Sequence, residues 1–184
     1  MTHAAVRVAT AADAAALARV YNHYVTETVI TFETVPVSVA AMAERVDKVL
    51  AAGLPYLIAE DPLLVEDHAP DAVLGFAYAS PFQEREAYRH SVEATVYLAD
   101  GARGRGIGSL LYAELLTALA ELAHDGSPHA PVHRVYARIA LPNEPSVALH
   151  EKFGFEQVAT LSEVGFKLGR WVDVGFWERV SSHE

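Results

Sequence analysis

The chain has 184 residues, 52% of them hydrophobic, which suits one core of ordinary size, and no stretch reaches the roughly 20 apolar residues of a membrane span. It contains no cysteine, which excludes disulfides, thiolate nucleophiles and cysteine-ligated zinc. The formal net charge of -10, from 14 basic against 24 acidic residues, disfavours nucleic acid as a partner and confines any anionic ligand to a locally basic segment.

Val6-Arg7-Val8 reads as a first short strand. Thr10 and Asp13, spaced like a capping box, open an Ala-rich helix to about Tyr24, and the β-branched, polar stretch from Val25 to Val37 reads as a loop. Ser38 caps a second helix through Leu50, ended by Gly53 and Pro55. Tyr56 to Ala59 is a strand, and an acidic loop runs from Asp61 to Asp71. Ala72 to Ala79 and Ser91 to Leu98 are strand-like. From about Gly106 to Ala123, Ile107, Leu111, Leu115, Leu119 and Leu122 form the apolar stripe of a helix. Asp125 to Pro131, with one Gly and two Pro, is a turn. Val132 to Ile139 is a strand, Pro145 to Lys152 a short helix ended by Gly154, and two strands follow near Phe155 to Val164 and Val172 to Glu178. Mixed strands and helices in this order predict a single α/β sheet domain over residues 1–184. The start of the chain lacks the basic and apolar regions of a signal peptide, so a cytoplasmic location is expected.

Arg103-Gly104-Arg105-Gly106-Ile107-Gly108-Ser109 supplies the basic segment that the acidic chain otherwise lacks. It lies between a strand and the most regular helix, where unpaired N–H groups and the helix dipole favour phosphate. A P-loop needs Gly-Lys-Ser/Thr, but Ile107 and Gly108 follow Gly106. A dinucleotide fingerprint starting at Gly104 and Gly106 finds Ser109, a poor match, at its third position and lacks its preceding βαβ start. Arg-x-x-Gly-x-Gly fits from Arg103 to Gly108 and resembles the pyrophosphate loop of the GNAT acetyltransferases.

Further segments resemble one branch of that superfamily, the phosphinothricin acetyltransferases and their methionine sulfoximine-acetylating relatives. They are Asn22-His23-Tyr24, Thr31-Phe32, Tyr78-Ala79-Ser80-Pro81-Phe82, Val92-Glu93-Ala94-Thr95-Val96-Tyr97, Leu141-Pro142-Asn143-Glu144-Pro145-Ser146, Leu149-His150-Glu151 and Gly169-Arg170-Trp171-Val172-Asp173-Val174. The resemblance implies a mixed sheet splayed open between its central strands, with acetyl-coenzyme A as acetyl donor. It puts Val96, Tyr97 and Leu98 along the pantetheine, Arg103, Gly104, Arg105, Gly106, Ile107, Gly108 and Ser109 around the pyrophosphate, and Asn143 on the arm's other side. It also implies a homodimer. The segments 63–71 and 125–132 depart from the branch as surface insertions.

Attack on a thioester needs a neutral amine, so a base must remove a proton. Glu93, set in an apolar and aromatic strand, is the candidate base; its bland alternative is an ion pair to Arg85 or Arg89. His150 stands where many GNAT enzymes have a tyrosine, and is either a proton donor or relay or a packing residue, with Tyr97 and Tyr112 as alternative acids. Arg85, after Gln83 and Glu84, offers a bidentate bond to a substrate carboxylate or phosphinate, against the alternative of an exposed loop arginine. Phe32, Gln83, Glu84, Arg85, Glu93, Ala94 and Thr95 complete the expected substrate site. His124, His129 and His133 read as solvated turn residues rather than a metal site. The expected function is acetyl transfer to the α-amine of a small amino acid or analogue. A non-catalytic acyl-coenzyme A sensor and a protein or peptide N-acetyltransferase are the competing readings.

Overall fold

The computed structural model describes residues 4–65, 72–122, 129 and 131–181. Seven strands form one sheet in the spatial order β1 (Ala5–Val8), β2 (Tyr56–Glu60), β3 (Val73–Pro81), β4 (Ser91–Leu98), β5 (Arg134–Leu141), β7 (Arg170–Val180) and β6 (Glu156–Lys167). Every neighbouring pair is antiparallel except β4 and β5, which run parallel. The helices are α1 (Ala14–Glu27), α2 (Val39–Ala51), the short α3 (Pro62–Val65), α4 (Ile107–Glu121) and α5 (Glu144–Lys152). None of the described helices is long and apolar enough to cross a membrane.

Successive side chains of a strand point to opposite faces, and this assigns the helices to two layers. Tyr97 packs edge-on against Tyr21 and Tyr24 of α1, while its neighbour Leu98 approaches Gly108 of α4. The two helices therefore cover opposite faces. On α4, Ile107, Leu111, Leu115 and Leu119 are buried at helical spacing, and Leu122 is partly buried beside them. Each such side chain contributes about 1.5–3 kcal/mol by leaving water.

Local signals explain most element ends. The Thr10 N–H donates to the Asp13 carboxylate at 2.8 Å, and Arg7 grips the same carboxylate at 2.8 Å, so the chain turns into α1 through a 3-10 turn. The Ser38 hydroxyl accepts from the Ala41 N–H at 3.1 Å and starts α2. Leu168 and Gly169, both at positive φ, make the two-residue turn between β6 and β7. The helix α1 runs past Tyr24 to Glu27 because buried Val25 continues its apolar face, where local composition predicts a loop. In the expected acidic loop Pro62–Val65 is a helical turn, and residues 66–71 lie outside the described part, as do 123–128 in the expected turn after α4.

Candidate active site

The parallel ladder between β4 and β5 stops at Glu93 opposite Tyr136. Beyond that point β4 keeps pairing with β3 to Leu98, and β5 keeps pairing with β7 to Leu141. The sheet thus opens into a wedge between its two central strands. Phe82 and Leu74, on the β3 side, bond to Ser91 and Ala99 respectively. By the alternation of an antiparallel ladder, Tyr97 then spends its backbone groups on β3, whereas those of Val96 and Leu98 face the wedge. Of the three residues expected along a pantetheine arm, Val96 carries the available backbone, because both Leu98 groups are already bonded. At Leu98 the Tyr24 hydroxyl holds the edge: it donates to the carbonyl at 2.6 Å and accepts from the N–H at 3.2 Å.

The Gly-rich segment leads into the first turn of α4. Gly104 and Gly106 sit at φ 71° and 81°, a region that costs other residues about 1–2 kcal/mol. The first bond along the helix is from Leu110 N–H to the Gly106 carbonyl, so the amides of Ile107, Gly108 and Ser109 precede it. Arg103, half exposed, lies 5.5 Å over the Tyr24 ring and 3.5 Å from Asp100. Arg105 lies 4.0 Å from Asp61. Lys152, which no sequence motif marks, reaches from α5 to donate to the Ser109 hydroxyl at 2.9 Å and adds a third cation to this corner. Across the wedge, Asn143 caps α5 by accepting from the Ser146 N–H at 3.3 Å, which leaves its amide NH2 as a donor. The Val96 backbone, the start of α4 and the cations around it fit a pyrophosphate ligand with an amide-bearing arm.

Glu93, Thr95 and Tyr97 project to the α1 face, into a cavity of about 400 Å³ also lined by Phe32, Tyr78, Arg138, Leu161 and Phe176. Phe32 reaches it by lying over Gly165, where a Cβ would come within 2.3 Å of the ring. Ala94 points the other way and is buried in the core. The ion pair of Glu93 is not with Arg85 or Arg89 but with Arg138 of β5, whose Nε donates to Oε1 at 2.8 Å and whose second nitrogen sits 2.6 Å from Oε2. Bonding to that carboxylate is the largest cause of the raised Arg138 pKa. Sequence reasoning missed Arg138 because the partners lie 45 residues apart and meet only through strand register.

Gln83, Glu84 and Arg85 line a separate, larger cavity of about 840 Å³ with Arg45, Lys48 and Arg89, and Tyr78 borders both cavities. Arg89 bonds to Glu86 at 3.1 Å. The floor between α1 and α2 is held by Lys167, only 4% exposed, which donates to the carbonyls of Thr31 at 2.7 Å and Tyr24 at 3.1 Å. Burial lowers its pKa, and nearby Glu33 partly offsets this.

His150 is buried on the opposite side, its ring against Tyr112 at 4.9 Å and Phe155 at 5.3 Å. Its Nδ1 lies 2.7 Å from the Ser146 carbonyl, which can only accept, so Nδ1 carries the proton and Nε2 the lone pair. Burial lowers its pKa below the ordinary value because the apolar surroundings disfavour the charged ring. Burial also raises the pKa of Tyr97 and Tyr112, the alternative acids. Among the described residues no three His, Cys, Asp or Glu side chains are grouped to hold a metal; His124 lies outside them.

Residues 6–175 match the Acetyltransferase (GNAT) domain family. The chain belongs to the GNAT acetyltransferases. It is 47% identical over 169 residues to a phosphinothricin N-acetyltransferase of Streptomyces coelicolor, covering 91% of this chain and 90% of the relative. It is 34% identical over 175 residues to an L-methionine sulfoximine/L-methionine sulfone acetyltransferase of Pseudomonas aeruginosa, covering 95% and 93%. A crystal structure of a GNAT phosphinothricin acetyltransferase from Sinorhizobium meliloti in complex with acetyl-coenzyme A superposes with a TM-score of 0.84 at 38% identity, covering 98% of this chain and 89% of that one. The GNAT fold thus accounts for the open seven-stranded sheet and its flanking helices.

Proposed function

We propose that this GNAT enzyme transfers acetyl from acetyl-coenzyme A to the α-amine of a small amino acid or analogue of the phosphinothricin, methionine sulfoximine or methionine sulfone type. The observation that carries the reading is Glu93, a carboxylate only 12% exposed, at the closed end of the wedge and facing a cavity of amino-acid size. The names of the Streptomyces and Pseudomonas relatives support the substrate class. One catalytic domain over residues 1–184 is part of the same reading.

When bound, acetyl-coenzyme A supplies an acetyl thioester reactive toward amines. Val96 would give backbone bonds to its arm, with Asn143 opposite, and Leu98, whose backbone is bonded to the Tyr24 hydroxyl, would line it. The amides of Ile107, Gly108 and Ser109, the Gly104 and Gly106 turn, and Arg103 and Arg105 meet its pyrophosphate. Glu93 receives the proton that the amine loses on acetylation, directly or through one water. Phe32 and Thr95 wall the amine side, and Arg85, with Gln83 and Glu84 in the adjoining cavity, serves a second anionic group such as a phosphinate. His150 acts as a proton relay through its unprotonated Nε2.

Thiol release with these three analogues, simple alkyl amines and lysine peptides tests the substrate class. Turnover is expected with the analogues; peptides or alkyl amines used equally well contradict it. The net charge of -10 supports an enzyme without nucleic-acid partners, and a cytoplasmic location is part of the same proposal. A homodimer is supported by the edge strand β6 and its neighbour, which leave Val158, Phe166 and Trp171 more than half exposed. A monomer by sedimentation at micromolar concentration contradicts that part.

A further inference from the structure

Arg134, Tyr136 and Arg138 alternate along β5 with buried Val135, Ala137 and Ile139, so they share the face that carries Glu93. Tyr136 stands opposite Glu93 in the last ladder pair, and Arg138 is the next side chain on that face, the first beyond the point where the strands part. Its guanidinium reaches back across the opening to Glu93 through two nitrogens. The partners differ in exposure: the Glu93 side chain is 12% exposed and that of Arg138 is 56%. A guanidinium has five N–H donors, and the carboxylate takes two, so three remain for another anion. Both groups line the same cavity, whose other walls include Ile30, Phe32, Leu161 and Phe176 and the hydroxyl-bearing Thr95.

An α-amino acid carries its ammonium and carboxylate on one carbon, so it is matched by an acid and a base that are themselves neighbours. We infer that Arg138 is the receptor for the substrate's α-carboxylate and that the Glu93–Arg138 pair reads the amino-acid headgroup as a unit, amine on Glu93 and carboxylate on the free edge of Arg138. The four charges then alternate in sign around a closed ring, and no unpaired charge is left in the cavity. Arg85 lines the other cavity and does not compete for this role. The assignment rests on the proposed function and names the residue that makes an amino acid, rather than a plain amine, the preferred acceptor.

The test compares methionine sulfone with its decarboxylated counterpart, 3-(methylsulfonyl)propylamine, as acceptors for the wild-type protein, Arg138→Met and Arg138→Lys. The readout is the ratio of the two kcat/KM values, which a loss of folded protein leaves unchanged. Wild type should favour the amino acid, and Arg138→Met should lower that ratio about 10- to 100-fold, mostly through the KM of methionine sulfone, as expected for losing a charge-assisted bond. Arg138→Lys, which keeps the charge without the fork, should fall between. A ratio that stays within about twofold of wild type in both variants overturns the assignment and leaves Arg138 as a support for Glu93 alone. Wild-type protein that acetylates neither compound nor any amino-acid analogue overturns the proposed function instead.

Discussion

In the proposed function Glu93 receives the amine's proton, and Arg138 ties its carboxylate in place from the neighbouring strand. Glu93→Gln keeps the shape and removes the proton acceptor. The rate at pH 7 should fall about 10²- to 10⁴-fold, acetyl-coenzyme A affinity should hardly change, and higher pH should recover part of the rate by supplying neutral amine. A pH–rate profile of the variant checks this; a near-normal rate at pH 7 would remove Glu93 from the chemistry. His150 makes a different, thermodynamic prediction. Burial lowers its folded pKa below the ordinary 6.5, so the unfolded chain binds more protons in that window. Stability should therefore fall as pH drops below about 6.5, the loss ending once the folded pKa is passed. His150→Phe should show a smaller drop in melting temperature between pH 7.5 and 5.5 than the wild-type protein. The role of an isolated residue is the hardest thing to read from sequence. Glu93 stands out as a charge in an apolar strand, but its partner does not, since nothing local distinguishes Arg138 from a solvated arginine on a half-exposed strand.

Elements are legible where the physics is local. The leucine stripe of α4, the Ser38 cap of α2 and the alternation of Ser91 to Leu98 each depend on neighbours within a few residues, and each element forms close to its expected span. The wedge between β4 and β5 comes only from resemblance, because a missing backbone ladder leaves no side-chain pattern behind. Its consequence is testable at the α4 start. Among the described residues nothing lies within 4 Å of where a Cβ would stand on Gly106, but the residue holds φ 81°. Gly106→Val should therefore leave the fold intact while changing the turn that offers its amides. Calorimetric titration should find acetyl-coenzyme A binding abolished in this variant and weakened by roughly 1–3 kcal/mol in Arg103→Ala. Unchanged affinity in folded Gly106→Val would remove the loop from the binding site. The segment between α1 and α2 depends on a contact no local pattern signals, since Lys167 reaches the Tyr24 and Thr31 carbonyls from β6. Lys167→Met leaves those two carbonyls without their donor. It should raise the KM of the amine several-fold through Phe32, with acetyl-coenzyme A affinity within about twofold of wild type. Steady-state kinetics with each substrate varied in turn distinguishes this from a general loss of structure, which would move both.

At the scale of the molecule, the fold separates two tasks on either side of one opening. On one face the start of α4 gathers cations beside the amides of Ile107, Gly108 and Ser109, where the proposed function puts an anionic donor, although the chain as a whole carries a net charge of -10. The α1 face offers Glu93 and Arg138 in a cavity sized for a small acceptor. In the proposed function donor and acceptor meet at the wedge, where the sheet parts. A protein that merely senses acyl-coenzyme A needs the first face and not the second. The decisive measurement is therefore thiol release from acetyl-coenzyme A with and without methionine sulfoximine, with the acceptor analysed by mass spectrometry. Release should depend on the acceptor and match, mole for mole, the appearance of one acetyl group on its α-nitrogen. Tight acetyl-coenzyme A binding without acceptor-dependent thiol release, across methionine sulfoximine, methionine sulfone and phosphinothricin, would contradict the enzyme assigned here.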